Sequence, residues 1–161
     1  MQIPWESDLA QLLESLSQVQ EELLKLLNEK RQLLVRADMQ ALAALEPRER
    51  ELLERLEECH AQRQSLLARA EQEGLPSDSI RSLSTAVGGD ASRPLASQIH
   101  EAQARSRLLH HHSLTNWVLV QRTLIHLSQM LEIIATGGRA RPTYEKGKSA
   151  AVSGSLMDHA V

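Results

Sequence analysis

The sequence predicts an all-α protein: an elongated antiparallel three-helix bundle or coiled coil, with short connecting helices and a flexible C-terminal tail. Three observations predict it. Leucines recur at alternating spacings of three and four, the period of one helix face. Alternating β-branched runs and Asn-Gly hairpins, the marks of strands, are absent. The 161 residues include no Phe, one Tyr and two Trp, so the core is drawn from Leu and Ala along narrow seams rather than from rings.

The first helix carries Leu9, Leu12, Leu16, Val19, Leu23, Leu26, Leu33 and Ala37 on one face. Lys30 interrupts that seam, and Leu13, Leu27 and Leu34 widen it to the breadth of a bundle helix. Ser7 or Asp8 is expected to cap its start. Asp38 caps a short helical stub, "DMQALAALEP", and Pro47 then falls in the first turn of the next helix, where its missing N–H costs nothing. Leu52, Leu56, Cys59, Leu66 and Ala70 form the second stripe with Leu53 and Leu67 beside it, and Gly74 and Pro76 end it. "SDSIRSLSTAVGG" is a short capped helix closed by two glycines. Pro94 opens the longest stretch, free of Gly and Pro through His110–His112 to Thr136 and about 60 Å long if helical. No period of 20–50 residues repeats. The expected division is a helical bundle over 1–136 and a flexible tail over 137–161.

Charge and cysteine narrow the function. Eighteen basic against 21 acidic residues do not make a general nucleic-acid binder. Residues 1–75 hold 15 acids and 9 bases, net −6, and residues 76–161 hold 6 acids and 9 bases, net +3. That layout suits antiparallel helices with opposite rim charges. The lone Cys59 has no internal disulfide partner, which fits a reducing cytosol. "MQIPWESD" has acids where a signal peptide has bases. The expectation is a cytoplasmic protein that is not membrane-inserted.

The stretch "NWVLVQRTLIHLSQMLEII", Asn116–Ile134, is nearly as long as a membrane span, yet it carries Gln121, Arg122, His126, Gln129 and Glu132. Charges at such depth exclude it from a bilayer. On a helical wheel Val120, Leu124, Leu127, Leu131 and Ile134 form a stripe with Trp117 at its edge, a face for the protein's own first two helices. Leu114, Val118 and Ile125 form an island pointing elsewhere, and Ile133 is isolated on the polar side. These four residues are the candidate partner-binding set, since helix-in-groove recognition uses such i, i+4 anchors.

Chemistry is weakly signalled. Adjacent residues of "HHH" (His110–His112) point 100° apart on a helix, so three cannot converge on one ion, and the i, i+4 pairing of zinc helices is missing. Glu57-x-x-His60 is half of a di-iron signature that needs a second such pair and two further glutamates. No phosphate loop or Gly-x-Ser-x-Gly occurs. The reading is a non-enzyme without cofactor or metal.

With those residues in view, the chain resembles the FlgN family, cytosolic export chaperones for flagellar hook-associated proteins. The resemblance rests on the Leu-rich first helix running into "EKRQLLVRADMQAL", on "ERELLERLEECHAQR" ending at Arg63, and on Asn116 before the apolar run. It rests most on the tail "PTYEKGKSAAV…MDHAV", with Tyr144, Gly147 and Asp158 in the family's tyrosine–glycine pattern and Glu145 where the family often has glycine. The resemblance implies a chaperone that shields terminal helices of hook–filament junction proteins and presents them to the flagellar type III export machinery. It also implies that Tyr144 docks on the cytosolic domain of the export gate. A monomer or small homo-oligomer is expected. The rival from another class is a self-associating structural coiled-coil protein without a client, against which the broken heptads and short connectors count.

Overall fold

The structure, a computed structural model, describes residues 5–137. It is all-α over those residues: α1 (Trp5–Arg36), α2 (Met39–Gln72), α3 (Ile80–Val87) and α4 (Ser92–Thr136), with one 3-10 turn at Gly89–Ala91. The chain divides into two units, Met1–Leu124 and Ile125–Val161. The first holds α1, α2, α3 and α4 as far as Leu124; in the second, the described residues are the last turns of α4 and Gly137.

Local chemistry sets the connections of the first unit. The Asp38 amide donates to the Leu33 carbonyl at 3.1 Å and the Ala37 amide to the Leu34 carbonyl at 3.2 Å. These two bonds close α1 in a Schellman motif. Ala37, at its left-handed position (φ 54°), leaves the seam on which the leucine spacing would place it. Asp38 then caps α2 by accepting from the Ala41 amide at 3.0 Å. So short a link makes α1 and α2 antiparallel neighbours. Their cross-helix pairs confirm this: Asp8–Arg69, Glu22–Arg55 and Lys30–Glu49 descend along α2 as they ascend along α1.

Two expectations are corrected here. Asp8 and Ser7 lie inside α1, which is already helical at Trp5; Asp8 serves instead as the ion-pair partner of Arg69 at 2.7 Å. Nor is there a stub before Pro47, because α2 runs continuously from Met39 to Gln72 through it. An interior proline costs about 3 kcal/mol. Contacts on both sides of it offset that cost: Leu42 and Leu45 are half-buried before it, and Leu52 is 1% exposed after it. Leu53, placed beside the stripe by its spacing, is exposed.

Beyond α2 the Leu75 amide bonds the Ala70 carbonyl and the Gly74 amide the Glu71 carbonyl, a second Schellman motif with Gly74 at φ 70°. Ser79 caps α3 by accepting from the Ser82 amide at 3.1 Å. Gly88 and Gly89 close α3 as the sequence suggests; a Cβ at Gly88 would collide with the Ser84 carbonyl oxygen. Pro94 sits in the first turn of α4, among amides with no intrahelical partner.

The core joins Trp5, Leu9, Leu12, Leu13, Val19, Leu23 and Leu26 of α1 to Leu52, Cys59 and Ala70 of α2. Ile80 and Leu83 of α3 and Leu95 and Ile99 of α4 complete it. Each large side chain buried this way contributes roughly 1.5–3 kcal/mol. Within this unit α4 runs parallel to α1: Gln20 meets Ala102, and further along Leu27 meets Asn116. The bundle is therefore up–down–up, the antiparallel three-helix architecture that the sequence predicts.

Candidate functional site

Helix α4 changes character along its length. Leu95, Ile99, Ala102 and Asn116 are buried, and Leu109 packs against the core. The spacing is that of one helix face. After Asn116, none of the described residues is buried.

Two polar locks join α4 to α1, one before that transition and one at it. Gln20 is 2% exposed; its amide nitrogen donates to the Ala102 carbonyl at 3.1 Å and to Ser106 Oγ at 2.9 Å. Its amide oxygen accepts from Arg105 Nε at 3.2 Å, so the side chain is satisfied at both ends. Asn116 Nδ2 donates to the Leu27 carbonyl at 2.9 Å. Buried amides require such partners. Gln20 has them at both ends and Asn116 at its Nδ2 alone, its Oδ1 having none among the described residues. These bonds fix the register of α4 on α1. Gln20 escapes a search for chemistry, although it has a signal: it stands in the seven-residue row Leu13, Gln20, Leu27, Leu34, where every other member is leucine.

The candidate partner-binding residues on α4 are all open: Leu114 is 50% exposed, Val118 40%, Ile125 57% and Ile133 59%. The stripe assigned to the protein's own helices is open as well, and this corrects the expectation. Trp117, Leu124, Leu127, Leu131 and Ile134 are exposed, and only Val120 and Leu119 are half-buried. From Leu124 to Ile134, large apolar side chains therefore stand uncovered on all sides of the helix. Tyr144 lies outside the described residues.

A second feature lies wholly in the first unit. A groove of about 650 Å³ lies over α1, with α2 and α4 as walls and the start of α3 among its lining residues. Its buried floor is Leu12, Leu13, Ile80 and Ile99, with Cys59 among them. Burial pushes the Cys59 thiol up from its ordinary range, Glu58 adds to that, and Arg55 opposes it. A thiol held protonated is a small apolar residue rather than a nucleophile. The exposed rim carries His60, Arg63, Arg81 and Arg107, and among the described residues no carboxylate lines the groove.

Among the described residues no group of His, Cys, Asp or Glu is placed to hold a metal ion. His111 and His112 meet edge to face at 5.9 Å, and Glu57 and His60 are both exposed. No helix of the described residues is long and apolar enough to cross a membrane. The arrangement offers surfaces for a partner helix.

Comparison with known proteins agrees with that geometry. The family model described as FlgN protein matches residues 1–151. No curated protein and no solved structure matches the chain.

Proposed function

The chain belongs to the FlgN family, whose general role is flagellar export chaperoning, and from that premise we propose a specific client mode. The protein is a cytosolic chaperone that covers the amphipathic terminal helix of a hook-associated protein with the open apolar residues of α4. It then delivers that client to the flagellar type III export apparatus. One observation carries the reading: Leu124, Ile125, Leu127, Met130, Leu131, Ile133 and Ile134 are each at least 46% exposed. Apolar surface on that scale marks a partner site. Leu114, Val118, Ile125 and Ile133 are the anchors, and the residues from 137 onward are a separate tail whose Tyr144 docks on the cytosolic domain of the export gate.

The same exposure also favours a second copy as the cover, and one set of titrations separates the readings. Val118→Glu with Ile125→Glu is expected to weaken capture of a hook-associated protein's terminal helix with an unchanged circular dichroism spectrum. Each anchor contributes roughly 1.5–3 kcal/mol if fully buried in the complex. Undiminished capture removes these anchors, and a dimer in light scattering that the double variant splits assigns the face to self-association. In a parallel titration, Tyr144→Ala weakens docking to the gate domain and leaves client capture unchanged; equal docking removes Tyr144 from the mechanism.

A further inference from the structure

The groove over α1 has a chemistry that the open end of α4 lacks. Its floor is apolar and buried, and it is edged by three arginines and a histidine. The chain has 21 acidic against 18 basic residues, yet among the described residues no carboxylate stands along this lining. Lys30, Arg55, Arg69 and Arg105 face glutamates or aspartates, whereas Lys25, Arg31, Arg36, Arg93 and Arg122 form no ion pair among the described residues but lie outside the groove. Arg63, Arg81 and Arg107 form no ion pair among the described residues, and Arg81 has only a 3.4 Å bond to the Gln103 amide oxygen. Unmatched arginines beside an apolar floor leave a surface whose charge complement is missing.

We propose that this groove seats an amphipathic helix of a partner polypeptide, its apolar stripe on Leu12, Leu13 and Ile99 and carboxylates along its flanks on Arg63, Arg81 and Arg107. A helix fits because the walls α2 and α4 are themselves helices and a fourth between them completes a four-helix core. Arginine forks take carboxylates bidentately, so the rim selects an acid-flanked helix over a basic one and the floor supplies the apolar burial. The inference goes beyond the client reading and does not rest on it: it concerns a different surface, and either can fail alone.

The test uses the full chain and two synthetic helical peptides with one leucine stripe, flanked by glutamates in one and by lysines in the other. Anisotropy titrations should show the glutamate peptide binding at least tenfold tighter, with the preference shrinking as salt rises. Arg63→Glu with Arg107→Glu should reverse the preference, Arg63→Gln with Arg107→Gln should abolish it, and Val118→Glu with Ile125→Glu should leave it intact. Both arginines are exposed, so these variants keep the fold, as circular dichroism will verify. Equal affinity for the two peptides overturns the proposal. So does binding that survives the arginine variants, binding lost only in the Val118/Ile125 variant, or a dimer that the arginine variants dissociate, which would give the groove to a second copy.

Discussion

The Lys30 ammonium lies 2.7 Å from a carboxylate oxygen of Glu49, at the place where the row Leu9, Leu16, Leu23 would put its next leucine. A break in the α1 seam is thus filled from α2, two residues after Pro47. The two side chains are 29% and 28% exposed, which puts the pair between a surface bridge and a buried one.

A double-mutant cycle with Lys30→Ala and Glu49→Ala is expected to show a coupling of about 0.5–1 kcal/mol at low salt. The coupling should fall in 1 M NaCl as the charges are screened. No coupling at low salt would reduce the pair to a coincidence of packing.

Gln20→Ala removes three hydrogen bonds, one of them charge-assisted, and leaves a hole between α1 and α4. The expected loss is about 2–3 kcal/mol in urea unfolding. Gln20→Leu fills the hole yet deprives Arg105 Nε of its acceptor, so it should recover only part of that loss. A fully stable Gln20→Leu protein would show that the amide network contributes nothing beyond its volume.

Ala37 holds a left-handed backbone (φ 54°) that costs a residue with a Cβ roughly 1–2 kcal/mol. Glycine relieves that strain and returns part of the gain as extra freedom in the unfolded chain. Ala37→Gly is therefore expected to stabilise the protein by about 0.5–1 kcal/mol, measured as a raised denaturation midpoint with an unchanged slope. A lowered midpoint would contradict the geometry of this turn.

Much of the candidate surface is legible in residue order. Val118 and Ile125 can be placed off the main stripe because helical spacing alone separates faces; both are exposed, and so is most of the stripe, so exposure does not set the two faces apart. The groove is not legible. Arg63, Arg81 and Arg107 stand on three different helices, and no spacing along the chain announces that they share a rim. Gln20 stands between these cases: its place in a leucine row marks it as unusual, but its partners on α4 lie more than 80 residues away.

The sequence by itself determined the helical class, the cap at Asp38, a capped short helix before two closing glycines, the closure at Gly74, and which faces of α1 and α2 are buried. Those features depend on backbone sterics and side-chain period, which act within a few residues. Only the tertiary structure decided that α2 runs through Pro47 and that Asp8 serves an ion pair rather than a cap. It alone also left the Leu124–Leu127–Leu131–Ile134 stripe of α4 without cover. In each case a local preference of a few kcal/mol met contacts made with distant parts of the chain, or met their absence. A hydrophobic period states that a face seeks burial; which surface buries it depends on where the other helices lie.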